Sequence, residues 1–144
     1  RTDGPPEVTQ STGWSCGAAA LAWAARLHCV PASERQMAEL ALTAPLRGTS
    51  TRGMLRAFYR VGLEARAIKP ASWEQVVAAP KPVLIGWQLS GTVAHSALVL
   101  DTGDGKVTIG DPLTGQRTCS REEFVDRWLR DLIVIESRGT VASS

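Results

Sequence analysis

The sequence has no run of charge of one sign. Sixteen Lys and Arg stand against fourteen Asp and Glu, a net charge of +2 spread along 144 residues. With no basic stripe, nucleic-acid recognition by a positive face is not expected. Mixed charge with 44% hydrophobic residues also excludes a disordered acidic or basic tail as the main content. Long apolar runs are missing too. The longest, Ala18–Ala25 and Pro82–Trp87, fall far short of the roughly 20 residues a membrane helix needs. There is no CxxC and no Cys/His cluster at zinc spacing, so no metal or organic cofactor is predicted. No repeat, low-complexity segment or linker divides the chain, which reads as a single domain. It opens on Arg1 rather than Met, which reads as a processed or trimmed start, a signal peptide or membrane anchor being the expected precursor segments.

What is present changes texture halfway. Residues 1–9, with Gly4-Pro5-Pro6, read as an extended arm. Residues 16–28 are dominated by Ala and Leu and apolar nearly all round, which predicts a buried helix with Ser15 as a candidate N-cap. Ser33-Glu34-Arg35-Gln36 is a capping-box pattern for a second helix reaching about Ala41. Thr49-Ser50-Thr51 offers caps for a third, ending near Val61 with Gly62 beyond it. From Leu63 the pattern turns to strands: 63–68, 83–88, 94–100, 106–109, 115–118 and 132–135. Short helices interrupt them after Ser72 and after Ser120, the latter reaching about Trp128. Asp104-Gly105 is a strong hairpin signal. Helices first and mainly antiparallel strands second predict an α+β fold. Residues 137–144 read as a flexible tail, leaving 10–136 as the domain.

Three cysteines, Cys16, Cys29 and Cys119, leave at least one thiol unpaired in a monomer. Cys16 is expected in the first turn of a buried helix, where free N–H groups and the helix dipole favour a thiolate. Gly17 beside it would allow a substrate backbone to approach closely. A small buried hydrophobe is the other reading of such a cysteine. A nucleophilic thiol needs a base. His28 stands at the end of the first helix and reads as a structural cap answering the negative helix end. His95 opens an apolar strand and is the remaining candidate. The hairpin at Asp104-Gly105 brings the start of one strand to the end of its partner, so His95 and Asp111 fall at the same open end. Asp101 and Asp104 fall at the other and read as turn residues. Gln10, six residues before Cys16, could donate to an oxyanion beside the thiolate. Trp14 reads as a cleft wall or as core; Trp23 and Trp128 read as core, and Trp87 is undecided between core and site.

Together, Gln10-x5-Cys16-Gly17-Ala18-Ala19-Ala20-Leu21, His95 opening an apolar strand, and Gly110-Asp111-Pro112-Leu113-Thr114-Gly115 resemble the bacteriocin-processing, double-glycine leader peptidases, papain-clan cysteine peptidases. The resemblance extends from about Val8 to Ile135 and includes the segment Cys119–Trp128. It implies a papain-like fold with the helical half packed on an antiparallel sheet. It also implies Cys16 as nucleophile, His95 as base and then acid, Asp111 as the orienting residue and Gln10 as oxyanion donor. Trp14 and Gly17 would face the substrate. Two departures from the family pattern are Ser15 before the cysteine, where exporter-linked members often have Asp, and Ser96 after His95, where an aromatic is common. With no Walker motif, the sequence resembles the stand-alone type rather than an exporter.

The expected function is therefore cleavage of a peptide or leader-bearing protein after Gly-Gly or small residues, with a separate exporter or secretion system as a possible partner. Two alternatives remain: a catalytically silent module binding a leader peptide, and a clan-related thiol hydrolase of cell-wall peptides. The expected location is extracytoplasmic (periplasmic, secreted or membrane-anchored), with the cytoplasm as the alternative. In an oxidising compartment Cys29 and Cys119 could pair and leave Cys16 as the free thiol; two inert buried thiols are the other possibility.

Overall fold

The computed structural model describes residues 16–41, 50–90 and 93–137; the side chain of Cys16 lies outside this description. The predicted arm at 1–9 and nearly all of the predicted tail at 137–144 lie outside it as well.

Three helices come first: α1 (Cys16–Leu27), α2 (Glu34–Leu40) and α3 (Thr51–Arg60). Ala18 to Ala25 are all 2% exposed or less, as a helix without a polar face must be. Ser33 and Ser50 cap α2 and α3, each accepting a hydrogen bond from the backbone N–H three residues on. Gly62, at φ +93°, follows α3 in the left-handed conformation that ends helices. Then come β1 (Leu63–Ile68), α4 (Trp73–Ala78), β2 (Val83–Ser90), β3 (Val93–Gly103), β4 (Lys106–Asp111), β5 (Gly115–Ser120), α5 (Arg121–Arg127) and β6 (Leu132–Ser137). Of the capping-box patterns, the one at Ser72 and Gln75 is reciprocal, each side chain bonding the other's backbone N–H.

The strands form one six-stranded antiparallel sheet in the order β1-β6-β2-β3-β4-β5. Alternation along the strands divides the core in two. Leu63, Leu84, Leu98, Ile133 and Ile135 pack with α1, α2 and α3. Val83, Ile85, Trp87, Val99, Ile109 and Val134 pack with Val76 of α4 and Phe124 of α5. The aromatic rings of Trp87, Phe124 and Trp128 pack in series, Trp87 tilted against Phe124 with centroids 5.7 Å apart and Phe124 stacked on Trp128 at 5.3 Å. Trp23 and Trp128 are thus core residues as expected, and Trp87, 2% exposed, joins them.

The turn between β3 and β4 has positive φ at both central residues, Asp104 at 54° and Gly105 at 72°. That is the mirror-image turn whose twist suits a two-residue hairpin, and it is why Asp-Gly occupies it. Asp101 is not a turn residue, contrary to expectation. β3 runs on to Gly103, and Asp101 pairs with Thr108 beyond a bulge at Leu100.

Candidate active site

The hairpin register brings His95 to Asp111. Leu98 faces Gly110 across β3 and β4, so Asp111 stands one step beyond, diagonal to His95. Diagonal neighbours on adjacent strands are within reach of a long side chain. His95 Nε2 lies 2.6 Å from Asp111 Oδ1, and the two residues are 7% and 3% exposed. The Leu113 backbone N–H donates to the same Oδ1 at 2.7 Å. Burial pushes the Asp111 carboxyl up, but the His95 hydrogen bond and the N–H groups of Leu113 and Thr114 outweigh it. The net result is a carboxyl held below its ordinary range. An ionised carboxylate only accepts hydrogen bonds, so Nε2 of His95 carries the proton and Nδ1 is the basic nitrogen of the neutral ring. The turn after β4 thus fixes an anion, and the anion fixes an imidazole in one tautomer and one orientation.

Cys16 opens α1, as the sequence predicts, and Gly17 is buried behind it. Gln10 and Trp14 lie outside the described residues, as does the predicted cap Ser15. Two further readings need correction. His28 does not read as a charged cap of α1: its buried Nε2 has no hydrogen-bond partner among the described residues, and burial pushes its pKa down. Burial thus disfavours the positive ring that would answer the helix dipole. Cys29 and Cys119 do not pair; both thiols are free, the first exposed and the second buried. Burial pushes the Cys119 thiol pKa up, with Glu123 adding to it, so Cys119 is unsuited to be a nucleophile.

The His28 environment has a pH consequence. Its folded pKa lies below the unfolded value of 6.5, so folding favours the neutral ring. The associated stability is present above that value and is lost as pH falls through it toward the folded pKa. The urea midpoint of the protein should drop between pH 7.5 and 5.5, and a His28→Leu variant should drop less over the same interval.

Sequence reasoning missed the support behind His95. Trp87 is its register partner on β2. The preceding Gly86 donates its N–H to Asp131 Oδ1 at 2.7 Å and accepts from Leu129 N–H at 3.1 Å. A Cβ on Gly86 would stand 2.9 Å from the Asp131 carboxylate, so a larger residue would push that side chain off the Gly86 N–H. Trp128 Nε1–H closes the turn by donating to the Asp131 carbonyl at 2.7 Å. The one signal available was a lone glycine inside a strand pattern.

An open cleft of about 930 Å³ adjoins the turn after Asp111, running from Thr114 and Gly115 past Trp23, Leu27 and Leu100 to Lys81 and Asp101. Among the described residues, no cluster of His, Cys, Asp and Glu is arranged to hold a metal ion.

A helix opened by a cysteine thus packs on an antiparallel sheet that carries a buried His–Asp pair. The family model of the Peptidase C39 family matches residues 6–140, and the chain belongs to that family. An uncharacterized protein of Methanothermobacter marburgensis is 33% identical over 129 residues, covering 90% of this chain and 87% of the relative. The peptidase domain of Streptococcus ComA, a bifunctional ABC transporter involved in quorum sensing, superposes with a TM-score of 0.81 at 24% identity, covering 91% of this chain and 97% of that one. A double-glycine-motif protease from an AMS/PCAT transporter, solved with its leader peptide, gives 0.82 at 21% identity, covering 94% and 96%. At these identities the structures establish the fold: the α+β, papain-like architecture of C39 peptidase domains.

Proposed function

We propose that this chain is a cysteine endopeptidase that cleaves a peptide or protein after a Gly-Gly or other small-residue leader motif. The observation that carries the reading is the buried 2.6 Å bond between His95 and Asp111, whose carboxyl that bond and two backbone N–H groups hold low. A neutral surface or a purely apolar groove would have no need of it. Membership of the C39 family and the leader peptide bound to the transporter protease noted above favour the same substrate class.

In this mechanism the Cys16 thiol gives its proton to His95 Nδ1, forming a thiolate–imidazolium pair. The thiolate attacks the scissile carbonyl carbon. The carbonyl oxygen becomes an oxyanion, held by the Cys16 N–H and the Gln10 side-chain amide. The C–N bond breaks as the imidazolium returns its proton to the leaving amine, leaving a thioester. His95 then removes a proton from water, the hydroxide adds to the thioester, and the carboxyl product departs as Cys16 regains its proton. Trp14 and Gly17 border the segment before the cut, where small residues fit a narrow passage. A separate exporter or secretion system would present the substrate, and an extracytoplasmic compartment is the proposed site of action.

Site-resolved alkylation across pH 5 to 9, followed by mass spectrometry, tests the chemistry. Cys16 should react near pH 5–6, and His95→Ala should move its reaction to the ordinary thiol range of about pH 8.5. Cleavage of Gly-Gly peptides by the wild type, and none by Cys16→Ala, would complete the case. Ordinary reactivity of Cys16 in the wild type would leave a silent leader-binding module. Cleavage of cell-wall peptides in place of Gly-Gly peptides would point to the related thiol hydrolases.

A further inference from the structure

The contact between Trp23 of α1 and Gly110 of β4 joins the two halves of the site. Position 23 lies seven residues after position 16, so the two share one face of α1, about 10 Å apart along its axis. Gly110 immediately precedes Asp111 and faces Leu98 across the hairpin. A Cβ on Gly110 would stand 2.8 Å from Trp23 Cη2 and 2.9 Å from Cζ2, with Leu100 Cδ1 at 3.2 Å. The indole therefore rests directly on the strand backbone. Trp23 is 2% exposed and sits within the cluster that fixes α1 on the sheet.

We infer that Trp23 and Gly110 are positioning residues that set the spacing between the nucleophile's helix and the His95–Asp111 pair. This rests on the proposed peptidase reading. The largest side chain of α1 meets the one residue type without a side chain, one position from the orienting carboxylate. The pair works as a spacer of fixed height. A methyl added on the strand lifts the helix; an indole shortened to a phenyl ring makes room for that methyl. Gly110 has no side chain and Trp23 is 2% exposed, so each is assigned to act through the placement of Cys16 relative to His95. Displacements on the scale of 1 Å cost about 10²-fold in rate, so a few tenths of an ångström should be visible as roughly tenfold.

The test is the pH profile of Cys16 alkylation by iodoacetamide, with cleavage of a Gly-Gly peptide measured beside it, in four proteins. These are the wild type, Gly110→Ala, Trp23→Phe and the double variant. Gly110→Ala should slow Cys16 alkylation at pH 6 about tenfold and lower kcat more than it raises KM. The double variant should recover most of the loss, a compensation that general destabilisation would not give. Where Gly110→Ala alone fails to fold, the comparison of Trp23→Phe with the double variant decides. Faster low-pH alkylation in the double variant supports the spacer, and an equal or slower rate overturns it. Profiles that coincide with wild type in all three variants also overturn it, since the indole would then have moved into the neighbouring cleft with α1 unshifted. An ordinary thiol profile in the wild type overturns the peptidase reading and this inference with it, an outcome distinct from the other two.

Discussion

Asp111→Ala should lower kcat/KM by about 10³–10⁴-fold and destabilise the domain by about 3 kcal/mol. The carboxylate is 3% exposed and receives the His95 Nε2–H and the N–H groups of Leu113 and Thr114. Its removal strands the buried His95 donor and leaves the N–H groups of Leu113 and Thr114, both exposed residues, to solvent. It also releases the imidazole to adopt either tautomer, so Nδ1 is no longer reserved for the thiol. Asp111→Asn separates the two effects. An amide oxygen can still accept from Leu113 and His95, so the stability loss should be smaller. The charge that stabilises the imidazolium is gone, so the rate loss should persist. The sign of the pH dependence follows from the lowered carboxyl pKa. The stabilisation is present above the unfolded value of 3.8 and is lost as pH falls through the folded value. Urea melts of wild type and Asp111→Asn between pH 7 and 3 should converge toward the acid end. Steady-state peptide cleavage gives the kinetic half.

Gly53→Ala should destabilise the domain by about 2–3 kcal/mol, although alanine is the better helix former by about 1 kcal/mol. Gly53 is buried in the first turns of α3, where its Cα faces the Ala41 carbonyl at the end of α2. An added methyl would overlap that carbonyl oxygen, which belongs to backbone and cannot swing away. It would also stand 3.2 Å from Ser50 Oγ, the atom that caps α3 by accepting from Gly53 N–H. Steric push and loss of the cap, itself worth about 1 kcal/mol, therefore act together. A fall in melting temperature of about 5–10 °C is the expected reading. An unchanged or raised value would mean that α2 and α3 are free to separate.

Much of this architecture was legible in the chain. Serines at 33, 50, 72 and 120 announce helix starts because a short hydroxyl side chain answers an orphaned N–H better than continued helix does. Asp104-Gly105 announces its hairpin because few residue pairs accept two positive φ angles. From that turn, counting along two strands brings His95 and Asp111 to the same end of the hairpin, and the bulge at Leu100 then sets both on one face. Other features were hidden because they depend on chain segments that meet only after folding. Asp131 is forty-five residues from Gly86, and nothing near either one signals the bond. The bulge that carries Asp101 into β3 depends on β4 opposite it. His28 ends a helix, a place where a positive ring is favourable. How far the surrounding core desolvates that ring was invisible from helix position alone.

The order of strands in the sheet carries a further consequence, for the timing of assembly. β6, formed by Leu132–Ser137, lies between β1 and β2, although it follows every other strand along the chain. As the polypeptide leaves the ribosome, β1 has no neighbour until these residues emerge, and the inner edge of β2 stays open with it. Pairings this distant in sequence close late and slowly. The hairpin that holds His95 and Asp111 needs only local contacts and can form before them. The strands of this hairpin are thus ready early, but the sheet against which α1 must dock is incomplete until near the end of synthesis. Such a chain completes the docking of α1, and with it the proposed Cys16–His95 site, as one of the last events of its folding.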